Sequence, residues 1–444
     1  MKSTSSTISI LFLFISHPQV SNGFLTNGRI KNNQPFVVKP SSISERTKVS
    51  PLCLSPLPTS RTSSTSEKDK QLKLNNLKPR TGIAQALLNM ALTSPLWKLV
   101  LVPQARQNII KTAAQNGIKW TDSYHWLRSQ DGPWNQDGPW NENQQEQPNW
   151  DQNYPEFYKK EFHAYENGNL CWDAAFEQEL ASRAVGARNF PDFGSEGEDA
   201  FRGSFENALI SLGATLPHDG TVVDLGCGTG TSTRRLAKLF PQAKSIIGID
   251  LSPYFIEVGK ALLSISPKGQ LDGGPWVTTI ENDERIQLRV GNAISTELLD
   301  QSVDAINLSL VIHELPIEVT CKLCEEALRI LKPNGQLYIS EMDFDSPAYA
   351  EQRANALLFS LLRSTEPYLD DYADGFEEIL NKLVEIFESV KITAATGRHY
   401  ALVATKRGDS DNSNEGLLED SRFGPDGSYV VSDTHLKVWE SKQK

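Results

Sequence analysis

The chain has 444 residues, 39% of them apolar, and a net charge of −11. That length allows one catalytic domain of about 200 residues with additions, and the apolar share allows a sizeable core. Seven basic side chains and one acidic one in residues 1–66 leave the remainder at −17. Such a body is a poor general nucleic-acid binder, because that affinity rests on neutralised phosphates; a local basic patch stays open. Five cysteines (Cys53, Cys171, Cys227, Cys321 and Cys324) form no disulfide framework. Cys321 and Cys324 make one C-x-x-C inside a predicted helix, without the second pair that a four-ligand zinc site needs. They read as two small residues on a helix face, with a redox-sensitive pair as the alternative.

Residues 1–23 read as a signal peptide, with an apolar core from Ile8 to Ile15 that is too short to span a bilayer stably. Ser21 and Gly23 flank a possible cut before Phe24. Residues 24–66 are basic, rich in Ser, Thr and Pro, and hold Glu45 as their one acid, the composition of a transit peptide. The pair resembles the bipartite leader of algae with complex plastids, which implies a plastid destination; the alternative is a secretory signal followed by a linker. No stable transmembrane segment is expected in the mature chain.

Residues 67–200 are expected to be a helical N-terminal region. After a charged linker, Ile83, Leu87, Leu88 and Leu92 share a helix face, and a further helix from Ala105 to Asn116 stops at Gly117. Gln-Asp-Gly-Pro-Trp-Asn occurs twice in tandem, at 130–135 and 136–141, inside a Gln/Asn-rich segment. The composition of residues 130–153 cannot build a core, so they read as an exposed, mobile insert. Tyr154 to Arg188 is dense in aromatics, including Tyr158, Phe162, Tyr165, Trp172 and Phe176, with a helix predicted from Asp173.

Residues 201–406 carry the alternation of strands and helices. Thr221 to Leu225 is a β-branched, apolar run suited to a strand buried on both faces. Gly226, Gly228 and Gly230 follow, and Thr231 or Ser232 is positioned to cap the next helix. A second strand, Ser245 to Asp250, ends on a carboxylate about twenty residues past Gly230, the usual distance for a ribose acceptor. The third glycine falls one residue early for a dinucleotide fingerprint, and Asp224 would sit badly beside a pyrophosphate.

Asp224-Leu225-Gly226-Cys227-Gly228-Thr229-Gly230 resembles the first motif of class I S-adenosylmethionine-dependent methyltransferases, and Gly248-Ile249-Asp250-Leu251-Ser252 resembles their second. The N-terminal region is closest to the pre-domain of an uncharacterised plastid and cyanobacterial group, and helices at that place often lid the active site. The resemblance implies S-adenosyl-L-methionine as cofactor, with Asp224, Gly226, Gly228, Gly230, Asp250, Leu251, Asn292, Ala293 and Asn307 around it. Asn292 stands where the family often has an acid, so its contact to the adenine amino group would carry less charge assistance.

Further strands are expected at Arg285–Val290, Val303–Leu310 and Gly335–Glu341, with a helix from Glu318 to Leu331 and others at Ala348–Arg363 and Phe376–Phe387. Val390–Ala395 and Tyr400–Ala404 are joined by only Thr396 to His399. A parallel crossover needs a dozen or more residues, so these two strands pair antiparallel. The expected fold is therefore α/β, a Rossmann-like seven-stranded mixed sheet with the last strand antiparallel, helices on both faces and an N-terminal helical lid. Residues 407–444 read as a tail that is polar to Asp420.

His313, Glu314, Glu341 and Asp343 lie at the carboxyl ends of the fourth and fifth strands, where open α/β sheets place ligands. His313 is the best general base by intrinsic pKa, and His313 and Glu341 are the candidate catalytic residues. No metal is expected. The leading reading is a methyltransferase for a small-molecule acceptor; a protein or RNA methyltransferase and a non-catalytic cofactor-binding scaffold are the alternatives.

Overall fold

The computed structural model describes residues 102–135, 154–163, 165–264, 283–354, 356–363, 365–409 and 416–430. All lie in one compact unit, Pro79–Lys444. The leader, the linker, the second repeat copy and the end of the tail fall outside the described residues.

Four helices come first: α1 (Val102–Gln115), α2 (Trp120–Arg128), α3 (Trp172–Asn189) and α4 (Gly197–Ser211). The alternating part follows as β1 (Thr221–Leu225), α5 (Thr231–Leu239), β2 (Ser245–Asp250), α6 (Pro253–Ser264), β3 (Ile286–Val290) and β4 (Val303–Ser309). Then come α7 (Ile317–Ile330), β5 (Leu331–Met342), α8 (Pro347–Ala354), α9 (Ala356–Arg363) and α10 (Leu369–Ile386). The hairpin β6 (Ser389–Ala395) and β7 (His399–Thr405) and a last strand β8 (Leu417–Asp420) complete the chain.

The strands form one sheet in the order β3-β2-β1-β4-β5-β7-β6-β8. β1 to β5 are parallel, and β7 is antiparallel to both β5 and β6, as the short hairpin requires. The strand order reverses between β1 and β4. That switch point opens a crevice at the carboxyl ends of the strands, the place where such sheets bind ligands.

Successive side chains of a strand point to opposite faces, and β1 divides accordingly. Val222 packs with Phe201, Phe205 and Leu236, from α4 and α5, on one face. Val223 and Leu225 pack on the other with Leu323 and Leu383, from α7 and α10. Cys324 is buried in that second core, while Cys321 is partly exposed on the same helix. A third core joins α1, α2 and α3 to α6 through Ala113, Trp120, Leu127, Trp172 and Phe176 against Phe255 and Val258.

The structure corrects four expectations. The sheet has an eighth strand: β8 pairs parallel with Ser389–Ile392 of β6. Residues 407–420 read as polar tail because an edge strand is recruited by main-chain pairing and needs no apolar pattern; Leu417 and Leu418 indeed stay exposed. The first repeat copy is folded against the body. Trp134 meets Trp172 and Phe176 edge-on, with ring centroids 5.6 and 5.2 Å away, and its indole N–H donates to the Arg128 carbonyl. The helix expected from Phe376 begins at Leu369, where Asp370 and Asp371 complement its N-terminal dipole. The residue before α5 is Gly230, with φ +85°, and neither Thr231 nor Ser232 caps that helix. Among the described residues, no helix is long and apolar enough to cross a membrane.

Candidate active site

The loop between β1 and α5 bends through Gly226, Gly228 and Gly230, all at positive φ. Side chains rarely adopt that backbone, which is why glycine recurs at alternate positions. A Cβ at Gly228 would lie 2.7 Å from the Gln178 amide nitrogen. The N–H of Gly228 donates to Asp250 Oδ2 at 2.9 Å, and the N–H of Ser252 donates to Oδ1 at 2.8 Å. The loop and the end of β2 are thus tied through one carboxylate. Burial pushes the Asp250 carboxyl up to about 6, against these two N–H groups, which favour its charged form.

The N-terminal region closes over this cradle. Gln178 of α3 accepts from the hydroxyl and the N–H of Thr229. Ser252 Oγ donates to the Asn169 carbonyl at 2.6 Å. The Tyr158 hydroxyl is 3.4 Å from Asp250 Oδ1, longer than a strong O–H···O bond. Sequence reasoning missed Gln178, Tyr158 and Ser252. Gln178 sits in a helix covered on several sides, so its burial leaves no period; Ser252 alone had a signal, its place two residues after the ribose carboxylate.

Asp224 is fully buried. Its Oδ2 accepts from Ser232 and Thr233, and its Oδ1 accepts from Asn307 Nδ2 at 2.7 Å. Burial raises its pKa while these three donors pull it down. The pair Asp224–Asn307 therefore links β1, β4 and α5. Leu251 follows Asp250 directly and is partly buried. Asn292 and Ala293 stand just past β3, also partly buried, where Asn292 Oδ1 accepts the N–H of Ile294 at 3.1 Å.

Beyond β4 the chain turns at Leu310, φ +58°, into a short 3₁₀ turn, Ile312–Glu314. This turn places His313 against Glu341 near the end of β5, with Nδ1 2.8 Å from Oε1. Glu341 Oε1 also accepts the Met342 N–H. Glu341 is wholly buried and His313 nearly so. Burial alone would lower the His313 pKa, but the Glu341 carboxylate outweighs it and raises the imidazole to about 10. Burial also raises Glu314, against the pull of His163 and His313. Asp343 is engaged elsewhere: Arg422 and Tyr429, both past β8, donate to it at 3.0 and 2.9 Å.

With this geometry in hand, residues 223–339 match the family model described as a methyltransferase domain. Over those residues the chain is similar to a methyltransferase domain. An uncharacterized methyltransferase of Emericella nidulans is 32% identical over 142 residues, which are 29% of this chain and 44% of that protein. The trans-aconitate 2-methyltransferase of an Azoarcus species is 31% identical, over 33% of this chain and 49% of its own. The demethylmenaquinone methyltransferase of Lactococcus lactis is 26% identical, over 42% and 67%. The match thus spans less than half of the first two relatives. A methyltransferase structure from Aquifex aeolicus is 19% identical, covers 45% of this chain and 88% of its own, and gives a TM-score of 0.32.

The cofactor that the methyltransferase domain calls for is S-adenosyl-L-methionine, and the residues present fit it. At Gly226, Gly228 and Gly230 the loop presents main chain without a Cβ. Asp250 has lone pairs left for ribose hydroxyls once the long Tyr158 contact gives way. Asn292 and Ala293, partly buried just past β3, would hold the adenine end.

Proposed function

We propose that the protein transfers the methyl group of S-adenosylmethionine to a small-molecule acceptor whose reacting atom carries a proton. The observation that carries this reading is the buried His313–Glu341 pair at the carboxyl ends of β4 and β5. The cofactor supplies an electrophilic methyl group on a sulfonium. The chain's work is then alignment in a dry pocket, where positioning can contribute roughly 7–11 kcal/mol. Glu341 holds the ring by Nδ1, and Nε2 takes the acceptor's proton once the ring is neutral. The covering of the cradle by Gln178 and Tyr158 supports a small acceptor, since a polymer needs an open groove. The names of the trans-aconitate and demethylmenaquinone enzymes point the same way.

Purified protein incubated with methyl-labelled cofactor and a plastid extract tests this directly. Label should appear in a low-mass fraction and vanish with His313→Ala. Label in protein or RNA only would refute it. We further propose a plastid destination, resting on the composition of residues 1–66 and on Phe24. A fluorescent fusion of those residues in an alga with a complex plastid should enter the organelle, and Phe24→Ala should stall it outside. Secretion of the fusion would overturn the assignment.

A further inference from the structure

We propose that His163, Glu314 and Glu366 form a binding site for one divalent first-row transition-metal ion beside the acceptor end of the sheet. The three come from distant parts of the chain: the segment before α3, the turn after β4 and the approach to α10. One ligand atom from each lies within 4.8 Å of the others. His163 Nε2 is 2.8 Å from Glu366 Oε1 and 4.0 Å from Glu314 Oε1. Ligands bound at about 2.0–2.2 Å stand roughly 3–4 Å apart, so small side-chain adjustments would complete the shell.

Two further observations point to a missing cation. Glu366 is 9% exposed, and its Oε2 is buried without a hydrogen-bond partner. The Glu314 carboxylate accepts no hydrogen bond among the described residues, and its nearest cationic groups are the two histidine rings at 4.0 Å. His163 thus faces a partly buried Glu314 carboxylate and a buried Glu366 carboxylate that keeps one oxygen unpaired, and buried carboxylates are otherwise paired or metal-bound. The backbone also fixes His163 in place. It sits at φ +50°, and its N–H donates to the Thr365 carbonyl at 3.0 Å, one residue before Glu366.

An imidazole with two carboxylates suits Zn²⁺ or Mn²⁺, with water in the remaining positions. The half-exposed His163 side chain supplies the entry path. Glu314 Oε1 is also 4.0 Å from His313 Nε2, so an acceptor oxygen on the ion would stand near the base. That consequence rests on the proposed methyl transfer; ion binding does not.

The test is titration of the full chain, stripped with a chelator, by Zn²⁺ and separately by Mn²⁺, using calorimetry and elemental analysis. One equivalent should bind and raise the melting temperature. Glu314→Gln and His163→Ala should each weaken binding at least tenfold. Glu314→Gln breaks no hydrogen bond, so its metal-free melting temperature should stay unchanged. Failure of either ion to bind below about 0.1 mM, or equal binding by wild type and both variants, would overturn the site. Neither outcome depends on cofactor or acceptor, so methyl transfer is judged separately.

Discussion

His313 Nδ1 and the N–H of Met342 converge on one oxygen of Glu341, at 2.8 and 2.7 Å. The carboxylate is thereby fixed by the strand it belongs to, and it fixes the imidazole in turn. This arrangement makes the proton on His313 hard to remove in the free protein, and the activity of the proposed base must follow from that.

Methyl transfer should therefore rise with pH. The His313 pKa of about 10 in the free protein sets the alkaline limb of kcat/KM; the sulfonium charge lowers the corresponding value for kcat. Glu341→Gln removes the group that holds the proton, so its limb should move to lower pH. His313→Asn should flatten the limb and reduce kcat by about 10²–10⁴-fold, with cofactor affinity unchanged. An identical pH profile in His313→Asn rules out the base role.

Cofactor affinity should fall in acid. Asp250 accepts ribose hydroxyls best as a carboxylate, and its pKa of about 6 places the loss below that pH. Calorimetry at pH 7.5 and 5 should show weaker binding at the lower value. Asp250→Ala should cost roughly 2–4 kcal/mol at pH 7.5, because it leaves donors unpaired. Unchanged affinity in a folded Asp250→Ala protein would remove the residue from the cofactor site.

Gly228→Ala should weaken cofactor binding by about tenfold and lower the melting temperature by a few degrees. The new methyl group meets Gln178 at 2.7 Å and sits on a backbone of φ +56°, a conformation that costs a side-chain residue about 1–2 kcal/mol. Normal binding by this variant would show that the loop is not the cradle.

Trp134→Ala should destabilise the protein by about 2 kcal/mol, less than for a fully buried tryptophan because Trp134 is part-exposed. Thermal melting measures it. No shift would mean that the two aromatic contacts to α3 contribute nothing in solution.

The glycine loop, Asp250 and the hairpin topology were legible in the sequence because each is local. Three alternate glycines imply a turn, and a four-residue gap implies an antiparallel pair. The His313–Glu341 pair was legible only as two residues at strand ends; its contact depends on the Leu310 turn. The resemblance implied a lid, but its contacts through Gln178 and Tyr158 were not legible. They join residues 51 and 92 positions apart in sequence and leave no period along the chain. Trp134 was misread for a related reason. The segment's composition cannot build a core of its own, yet one of its tryptophans completes someone else's.

The ion pair between Arg422 and Asp343 has a consequence for synthesis. The two are 79 residues apart in sequence, and both are almost wholly buried. At about 5–20 residues per second, a ribosome makes the aspartate roughly 4–16 s before its counter-charge. Throughout that interval the end of β5 carries a carboxylate that cannot go dry without its guanidinium. The acceptor end of the sheet therefore closes only once residue 422 has joined it, in whichever compartment the chain folds.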